Sequence, residues 1–304
     1  MNIIETNNLT HRYWRTEAVR DLTLTVPTGS VFALLGANGA GKTTAIKVLM
    51  NLLRPSAGVA RVLGVDSSRL GEQELAQIGY VSENQQLPLW MTVRQLLDYC
   101  RPFYPTWDRA LEAKLLAQFD LPPERKLKQL SRGMLMKAAL LSSLAYRPKL
   151  LVLDEPFSGL DPLVRDEFVQ GLLETSRLGD WTVLVSSHDI EEVERLADHI
   201  ALLEAGRLRF TETTEALLGR FRRIEVELNQ PNAATGALPA AWLDWQCEAG
   251  RASFVDSAYD RETTERACRD RFPSATVQAR PMSLRAIFIT LARAGRNQLK
   301  GAVA

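Results

Sequence analysis

The sequence has few cysteines, no long apolar run and almost no net charge, and each shortage excludes a class of protein. Its 304 residues include three cysteines, Cys100, Cys247 and Cys268, which are too few and too far apart for disulfide pairs or a zinc site. No apolar run approaches the roughly 18 residues that span a bilayer, so the chain is not itself a membrane channel. Residues 1–10 lack a basic region followed by an apolar core, and we expect no secretion signal and a cytoplasmic location.

The charge balance gives no reason to expect nucleic acid as a partner. Lysine and arginine together number 37, aspartate and glutamate 36, and the net charge is +1. Hydrophobic residues make up 46% of the chain, which is enough to bury one large core and a smaller one.

Short apolar runs separated by helical segments predict an α/β domain with a mixed, largely parallel sheet that is covered on both faces. The runs that predict buried strands are residues 31–35, 78–81, 150–153, 182–185 and 199–203. Helical periodicity over residues 93–99, 109–119 and 134–146 predicts a helical subdomain inserted at about residues 84–146.

A change of composition at residues 229–236 predicts a loop and, around it, a boundary between domains at residues 2–221 and 222–304. Beyond the loop the sequence predicts a hairpin of residues 242–247 and 251–255, a charged helix at 260–272, a strand at 275–278 and an amphipathic helix at 283–299. Ser283 would cap the last helix. The second domain is expected to be a small α+β accessory domain.

A glycine-rich stretch predicts a site for a nucleoside triphosphate. It contains Gly36, Ala37, Asn38, Gly39, Ala40, Gly41, Lys42, Thr43 and Thr44, between a predicted strand and a helix predicted over residues 45–53. Its glycines let successive amide N–H groups point at phosphate oxygens, and the helix N-terminus adds to the anion site. Lys42 would reach the β- and γ-phosphates, and the Thr43 hydroxyl would ligate Mg²⁺. The stretch therefore predicts binding of ATP or GTP.

Two adjacent acids, Asp154 and Glu155, follow the predicted strand at residues 150–153. Ligands of open parallel sheets bind at the carboxyl ends of the strands. Asp154 is placed to hold Mg²⁺ through its water shell, and Glu155 to orient or deprotonate the attacking water. Without the glycine-rich stretch upstream, such a pair is often only a solvated turn.

Four further segments, taken with the glycine-rich stretch and the acidic strand, resemble the ATPase subunit of ABC transporters, a P-loop NTPase, over residues 2 to about 221. Residues 130–134 (LSRGM) are similar to the family's signature, LSGGQ, and residues 158–161 (SGLD) to its D-loop. Residues 186–189 (SSHD) are similar to its switch-histidine segment. Tyr13 lies ahead of the glycine-rich stretch, where the family stacks an aromatic ring on adenine.

The resemblance implies ATP and Mg²⁺ as cofactors and a dimer, of identical subunits or of paralogues, in which each ATP lies between the phosphate loop of one subunit and the signature of the other. Ser131 and the Gly133 backbone would complete the γ-phosphate shell, and Asp161 of the D-loop would belong to the same nucleotide site. His188 would contact the γ-phosphate, although a lone histidine is more often a packed or solvated residue. The resemblance also implies an integral membrane permease as partner and a position on the cytoplasmic face of the cell membrane.

Two motifs, the Q-loop and the signature, depart from the family pattern. Aligned without gaps from Gly79, the family's Q-loop glutamine falls on Glu83, whose carboxylate can approach Mg²⁺ but only accepts hydrogen bonds and adds a negative charge. The signature has Arg132 for its first glycine and Met134 for its glutamine, whereas Ser131 and Gly133 are kept. We expect a competent ATPase that uses Glu83 in catalysis and metal binding, with its rate left open.

Two apolar segments have two interpretations each. Residues 87–91 (LPLWM) correspond either to the family's groove for a helix of the membrane subunit or to packing inside the helical subdomain. Residues 281–288 are similar to the tail of ATPases that pair with separately encoded exporter permeases, but they also fit an ordinary buried helical face.

The first hypothesis of function is therefore an ATP-hydrolysing subunit that powers a permease, an exporter by the similarity of its tail. The alternative is a non-transport ABC ATPase that acts on nucleic acid or the ribosome. Such relatives usually carry two ATPase domains in one chain, a long coiled coil or basic arms, and none is visible here. A third possibility makes the C-terminal domain a sensor, although no residue in it marks a ligand site and dimer support is the simpler role.

Overall fold

The computed structural model describes residues 1–176, 181–227, 238–248, 250–272 and 275–301. The chain divides into two compact units, Met1–Glu212 and Thr213–Ala304. The predicted boundary after residue 221 differs from this division by one helix, Thr214–Arg220, which belongs to the second unit. The loop predicted at residues 229–236, and position 249 in the predicted hairpin, lie outside the described residues.

Among the described residues up to Thr213, ten strands form two sheets and six α-helices accompany them. The strands are β1 (Asn2–Tyr13), β2 (Thr16–Pro27), β3 (Val31–Leu35), β4 (Ala57–Val62), β5 (Val65–Asp66), β6 (Ile78–Ser82), β7 (Leu150–Asp154), β8 (Thr182–Ser187), β9 (His199–Glu204) and β10 (Arg207–Thr213). The helices are α1 (Lys42–Leu49), α2 (Glu72–Leu75), α3 (Val93–Cys100), α4 (Arg109–Gln118), α5 (Arg132–Leu144) and α6 (Pro162–Ser176).

The larger sheet has the strand order β10-β9-β3-β8-β7-β6. It contains all five strands predicted from apolar runs, and β3, β6, β7, β8 and β9 pair in parallel. Every residue of β7 and β8 is buried, which explains why these strands show no alternation of apolar and polar residues. The register sets Asp154 opposite both Ser82 and Ser186, so the carboxyl ends of three strands meet at one edge.

The smaller sheet, with the order β2-β1-β4-β5, was not predicted from the sequence. It is antiparallel, and the pairing of β1 with β2 shifts register between Thr6 and Leu9. Such shifts interrupt the two-residue period by which a strand is recognised. Leu9 and Val26 of this sheet belong to the same buried cluster as Ile46 of α1.

Three helices between β6 and β7 confirm the predicted helical segments, with small changes at their ends. Ser131 caps α5 through a hydrogen bond of 3.2 Å from the Met134 amide, so this helix begins two residues earlier than predicted. The helix predicted over residues 45–53 was wrong at both ends, since α1 spans Lys42–Leu49. Its first turn lies inside the glycine-rich stretch, and it stops before Asn51, whose φ is +57°.

The second unit is an α+β unit with its own core. It contains α7 (Thr214–Arg220), β11 (Arg222–Glu227), β12 (Trp242–Glu248), β13 (Arg251–Asp256), α8 (Arg261–Arg271), β14 (Thr276–Pro281) and α9 (Leu284–Gly301). Its antiparallel sheet has the order β12-β13-β11-β14, and β12 and β13 are the predicted hairpin. Ile224, Phe254 and Phe272 belong to its core. The Ser283 hydroxyl accepts a hydrogen bond of 3.3 Å from the Ala286 amide and caps α9, as predicted. Within the described ranges, no helix is both long and apolar enough to cross a membrane.

Candidate nucleotide-binding site

The glycine-rich stretch forms a tight loop between β3 and α1, and its glycines are required by geometry. Gly39 and Gly41 have φ angles of +81° and +105°, which favour glycine. A Cβ at Gly36 would lie 2.4 Å from the Leu203 carbonyl oxygen, and one at Gly41 would lie 2.2 Å from that of Ala18. Side chains at these positions would force the loop open, so the sequence fits a cradle formed by the backbone.

Main-chain hydrogen bonds hold the rest of the loop. The Ala40 amide donates to the Ala37 carbonyl at 3.0 Å, and the Gly206 amide donates to the Ala40 carbonyl at 2.9 Å. Asn38 is exposed at the tip of the loop, and Thr44 is half-buried in the first turn of α1. The loop is therefore held by main-chain hydrogen bonds at Ala37 and Ala40, and its tip at Asn38 is exposed to solvent.

Lys42 is folded back onto this loop. Its Nζ donates to the carbonyl oxygens of Gly36 at 2.5 Å and Ala37 at 3.2 Å, and it lies 2.9 Å from Oε1 of Glu155. The residue is only 5% exposed. A buried ammonium group next to a backbone cradle for anions is suited to the β- and γ-phosphates of a nucleotide.

Three oxygen-bearing side chains meet beside Lys42. The hydroxyls of Thr43 and Ser186 both donate to Oδ1 of Asp154, at 3.0 and 2.8 Å. The pKa of the Asp154 carboxyl is raised, because burial disfavours the charged form. The hydrogen bonds from Ser186 and Thr43 favour the charged form but offset only part of this effect. Oxygen donors are what Mg²⁺ prefers, and few are needed because phosphates and water supply the remainder. The part of the chain that the structure describes has no cluster of three or more His, Cys, Asp or Glu side chains able to hold a metal.

Glu155 lies between the lysine and a histidine. Its backbone is left-handed, with a φ of +53°, and its amide donates to the Ser186 hydroxyl at 3.0 Å. Oε1 faces Lys42, and Oε2 lies 2.7 Å from Nδ1 of His188. A carboxylate whose two oxygens are both oriented in this way can position a water molecule and accept its proton.

The signature residues lie at the N-terminus of α5. Ser131 is exposed as the N-cap of the helix, and Gly133 is buried in its first turn. A Cβ at Gly133 would lie 2.4 Å from Cγ1 of Val164 on α6. Asp161 caps α6, because its Oδ1 accepts a hydrogen bond of 3.1 Å from the Val164 amide. The exposed end of α5 is thus a helix terminus able to bind an anion.

The Glu83 carboxylate is directed at the signature. Its Oε1 accepts hydrogen bonds from the Arg132 guanidinium at 2.7 Å and from the Ser158 hydroxyl at 2.8 Å. Its amide donates to the Asp154 carbonyl at 3.0 Å. The structure therefore brings Lys42, Thr43, Asp154, Glu155, Ser186 and His188 together at the strand ends. Glu83 is joined to Asp154 by its backbone amide, whereas its side chain contacts Arg132.

Tyr13, the residue predicted to stack on adenine, ends β1 and is 43% exposed as a residue. The ring packs edge-to-face against His11, with 4.6 Å between the ring centroids. One aromatic surface is therefore held in place at the protein surface, as a stacking partner for a flat base requires.

Sequence reasoning did not assign roles to Ser186 or to Arg132 as a partner of Glu83. A signal for Ser186 was present, because parallel strands pair in register and Ser186 follows an apolar run like the one before Asp154. No comparable signal pairs Arg132 with Glu83, which are 49 positions apart in different segments.

The apolar segment at residues 87–91 has both buried and exposed side chains. One part of it therefore fits packing inside the helical subdomain, and the other fits a groove for the membrane subunit. Met91 is buried, whereas Leu89 and Trp90 are 49% and 68% exposed. Leu87 and Leu89 line a cavity of about 310 Å³ beside α5. The other residues that line it are Ser82, Glu83, Gln85, Gln86, Arg132, Leu135, Met136 and Ala139.

Comparisons with known proteins identify ATP-binding proteins of transporters as relatives. A family model described as ABC transporter matches residues 19–158. The bacitracin transport ATP-binding protein BcrA of Enterococcus faecalis is 32% identical over 208 residues, which are 68% of each chain. The Nod factor export ATP-binding protein I of Rhizobium leguminosarum bv. viciae is 37% identical over 195 residues, 62% of each chain. A solved structure of the ATP-binding subunit of an ABC transporter is 28% identical with a TM-score of 0.64, and the match covers 71% of this chain and 91% of the other.

Proposed function

Because the chain belongs to the ABC transporter ATP-binding proteins, which are ATPases, we propose that two such subunits close around two ATP molecules and drive a membrane permease. The observation that carries this proposal is the contact of Lys42 and His188 with the two carboxylate oxygens of Glu155. It joins the phosphate-binding lysine, the acid at the strand end and the histidine in one group, while Ser131 remains exposed for the second subunit.

The side chains divide the work of hydrolysis. Lys42 binds the β- and γ-phosphates, and Thr43 and Asp154 hold Mg²⁺, which neutralises charge on the phosphates when it is bound. Glu155 orients the attacking water and accepts its proton, and His188 keeps the carboxylate in position and reaches the γ-phosphate. Tyr13 supplies the surface on which adenine stacks.

The permease partner is supported by the apolar surface beside Glu83. Leu89 and Trp90 are exposed there, and the neighbouring cavity has an apolar wall that includes Leu135 and Met136. A helix of the permease with an apolar face fits such a groove. One relative is a Nod factor export ATP-binding protein, which favours export as the direction. We place the protein at the cytoplasmic face of the membrane, where ATP is available.

Light scattering in the presence of ATP and Mg²⁺ tests the shared site. Glu155→Gln, which is expected to hold ATP and turn it over only slowly, should shift from the 34.0 kDa mass of one chain to twice that mass. Adding Ser131→Arg to this variant should leave ATP binding intact but keep the protein monomeric, because Ser131 contacts only the partner's nucleotide. If the Ser131→Arg combination dimerises as fully as Glu155→Gln alone, the shared site is wrong.

A second experiment tests the permease. The gene's neighbourhood is searched for a permease of about six membrane spans, the chain is purified together with that permease, and the ATPase rate is compared with and without it. A complex in which Trp90→Ala weakens association supports the proposal. Failure of that permease to bind the chain or to change its ATPase rate would contradict it.

A further inference from the structure

Two of the three positions at which the chain departs from the family pattern, Glu83 and Arg132, contact each other. Arg132 donates to Oε1 of Glu83 at 2.7 Å, and the Ser158 hydroxyl donates to the same oxygen at 2.8 Å. Glu83 directly follows β6, Arg132 begins α5, and Ser158 lies in the loop after β7. One carboxylate oxygen therefore joins three segments of the nucleotide site.

The local structure makes room for this contact. Gly159 has a φ of +68°, and a Cβ at this position would lie 2.5 Å from a nitrogen of the Arg132 guanidinium. The side chains of Arg132 and Glu83 are 50% and 30% exposed, so neither is buried away from a nucleotide. The Glu83 amide is bonded to the Asp154 carbonyl, which fixes the main chain of Glu83 beside the strand that carries Asp154.

An unpaired carboxylate at position 83 would place a negative charge close to the phosphates of ATP. The guanidinium offsets that charge, and its hydrogen bond, with that of Ser158, fixes the oxygen that it contacts. Building on the function proposed above, we propose that Arg132 is a positioning residue that neutralises and orients Glu83 for ATP hydrolysis. Arg132 and Glu83 together then perform the task that a neutral glutamine performs alone.

An ordinary surface ion pair would have no such effect. Exposed pairs contribute little to stability, and their loss leaves chemistry elsewhere unchanged. The chain offers a matched control in Arg94 and Glu124, whose side chains are 2.6 Å apart and 58% and 75% exposed. This pair joins α3 to the loop after α4 and includes no residue of the nucleotide site.

A double-mutant cycle in the full-length protein tests the proposal. Arg132→Gln should lower kcat at least about tenfold when Glu83 is present, but less than about twofold in a chain that also carries Glu83→Gln. Arg132→Lys keeps a positive charge and should recover part of the loss. Arg94→Gln and Glu124→Gln should leave kcat unchanged and act additively. Equal losses from Arg132→Gln in the two backgrounds would overturn the proposal.

Nucleotide binding provides a readout that needs no hydrolysis. With EDTA present, Arg132→Gln should weaken binding of a fluorescent ATP analogue about threefold when Glu83 is present, because the carboxylate then repels the phosphates. The same change should have no effect in the Glu83→Gln chain. Equal binding in all four chains of the cycle would contradict the proposal, and this result is independent of whether the subunits dimerise or bind a permease.

Discussion

The ammonium group of Lys42 lies 2.9 Å from a carboxylate oxygen of Glu155, and the two side chains are only 4% and 11% exposed. The residue that we propose binds phosphate and the residue that we propose activates water thus neutralise each other. Phosphate oxygens compete for the same ammonium group, so a nucleotide that draws Lys42 toward itself also frees one oxygen of Glu155. We therefore expect nucleotide binding by Lys42 and activation of Glu155 as a base to be linked through this one contact.

Lys42→Ala is expected to weaken nucleotide binding by at least about tenfold, because it removes the positive charge nearest to the β- and γ-phosphates. It also leaves a buried oxygen of Glu155 without its cation, and the melting temperature should fall. Adding Glu155→Gln should restore the melting temperature but not the binding. Titration with a fluorescent ATP analogue and thermal denaturation check both effects, with Lys47→Ala as the control on the same helix. Unchanged affinity for Lys42→Ala would mean that the loop does not hold phosphates as described.

Glu155→Gln is expected to keep ATP binding and to lower kcat by about 10²–10⁴, the usual contribution of a general base. An amide has nearly the same shape as a carboxylate, but it cannot accept the proton of water. Steady-state phosphate release measures the change, and Glu124→Gln, an exposed position, is the control. Turnover within about threefold of wild type would remove Glu155 from the role of base.

The parallel sheet could be predicted because its strands are buried on both faces and stand out as short apolar runs, as residues 31–35 and 150–153 show. The antiparallel sheet of β1, β2, β4 and β5 could not be predicted. Register shifts in β1 between Thr6 and Leu9 break the period of two that identifies a half-buried strand. The hairpin of β12 and β13 was predicted from a regular pattern around a turn that contains Gly250.

The same distinction holds within the nucleotide site. Lys42, Thr43 and Asp154 could be proposed from sequence because each belongs to a local pattern, a glycine-rich turn or an acid at the end of a strand. The contact of Arg132 with Glu83 depends on how β6 and α5 pack, and side chains 49 positions apart leave no local pattern that reveals it. Contacts of this kind become visible only in three dimensions.

Asp154→Asn is expected to raise the stability of the nucleotide-free protein at pH 7. Burial raises the pKa of Asp154 above its ordinary value of 3.8, so the folded state binds a proton more tightly than the unfolded state. Stability from this group is therefore present at low pH and is lost as pH rises from 3.8 through the raised pKa. The neutral amide removes that loss, while ATPase activity and the extra stabilisation by Mg²⁺ with ATP should both disappear.

Asp108→Asn provides a control of opposite sign in the same unit. Hydrogen bonds from the Leu111 amide and from Arg147 lower the pKa of Asp108, so its stabilisation is present above the ordinary pKa of 3.8 and is lost as pH falls. This variant should melt below wild type at pH 7. Thermal denaturation from below pH 3.8 up to pH 7 compares the two variants, and a lower melting temperature for Asp154→Asn at pH 7 without nucleotide would contradict the assignment.

Ser186→Ala is expected to lower both stability and affinity for Mg²⁺ with ATP. The Ser186 hydroxyl donates to Oδ1 of Asp154 and accepts from the Glu155 amide, so its loss leaves that amide without this partner and Oδ1 of Asp154 with the Thr43 hydroxyl alone. An unsatisfied buried polar group costs about 1–3 kcal/mol. Ser186→Thr keeps the hydroxyl and should recover most of the stability. If Ser186→Ala binds and melts like wild type, the hydroxyl has no role in arranging these two acids.

Gly133→Ala tests why the signature has a glycine at this position. Either a side chain would collide with α6, or the nucleotide must approach the backbone closely. The added Cβ would lie 2.4 Å from Cγ1 of Val164, so the methyl group meets α6, and we expect a loss of about 1–3 kcal/mol in stability together with reduced ATPase activity. Val164→Ala removes the carbon that the methyl group meets. Because the backbone amide of residue 133 is kept, the combination of Gly133→Ala and Val164→Ala should regain both the melting temperature and a kcat within about threefold of Val164→Ala alone. If stability returns while kcat stays low, the glycine is needed for close approach of the nucleotide and the space against α6 does not explain it.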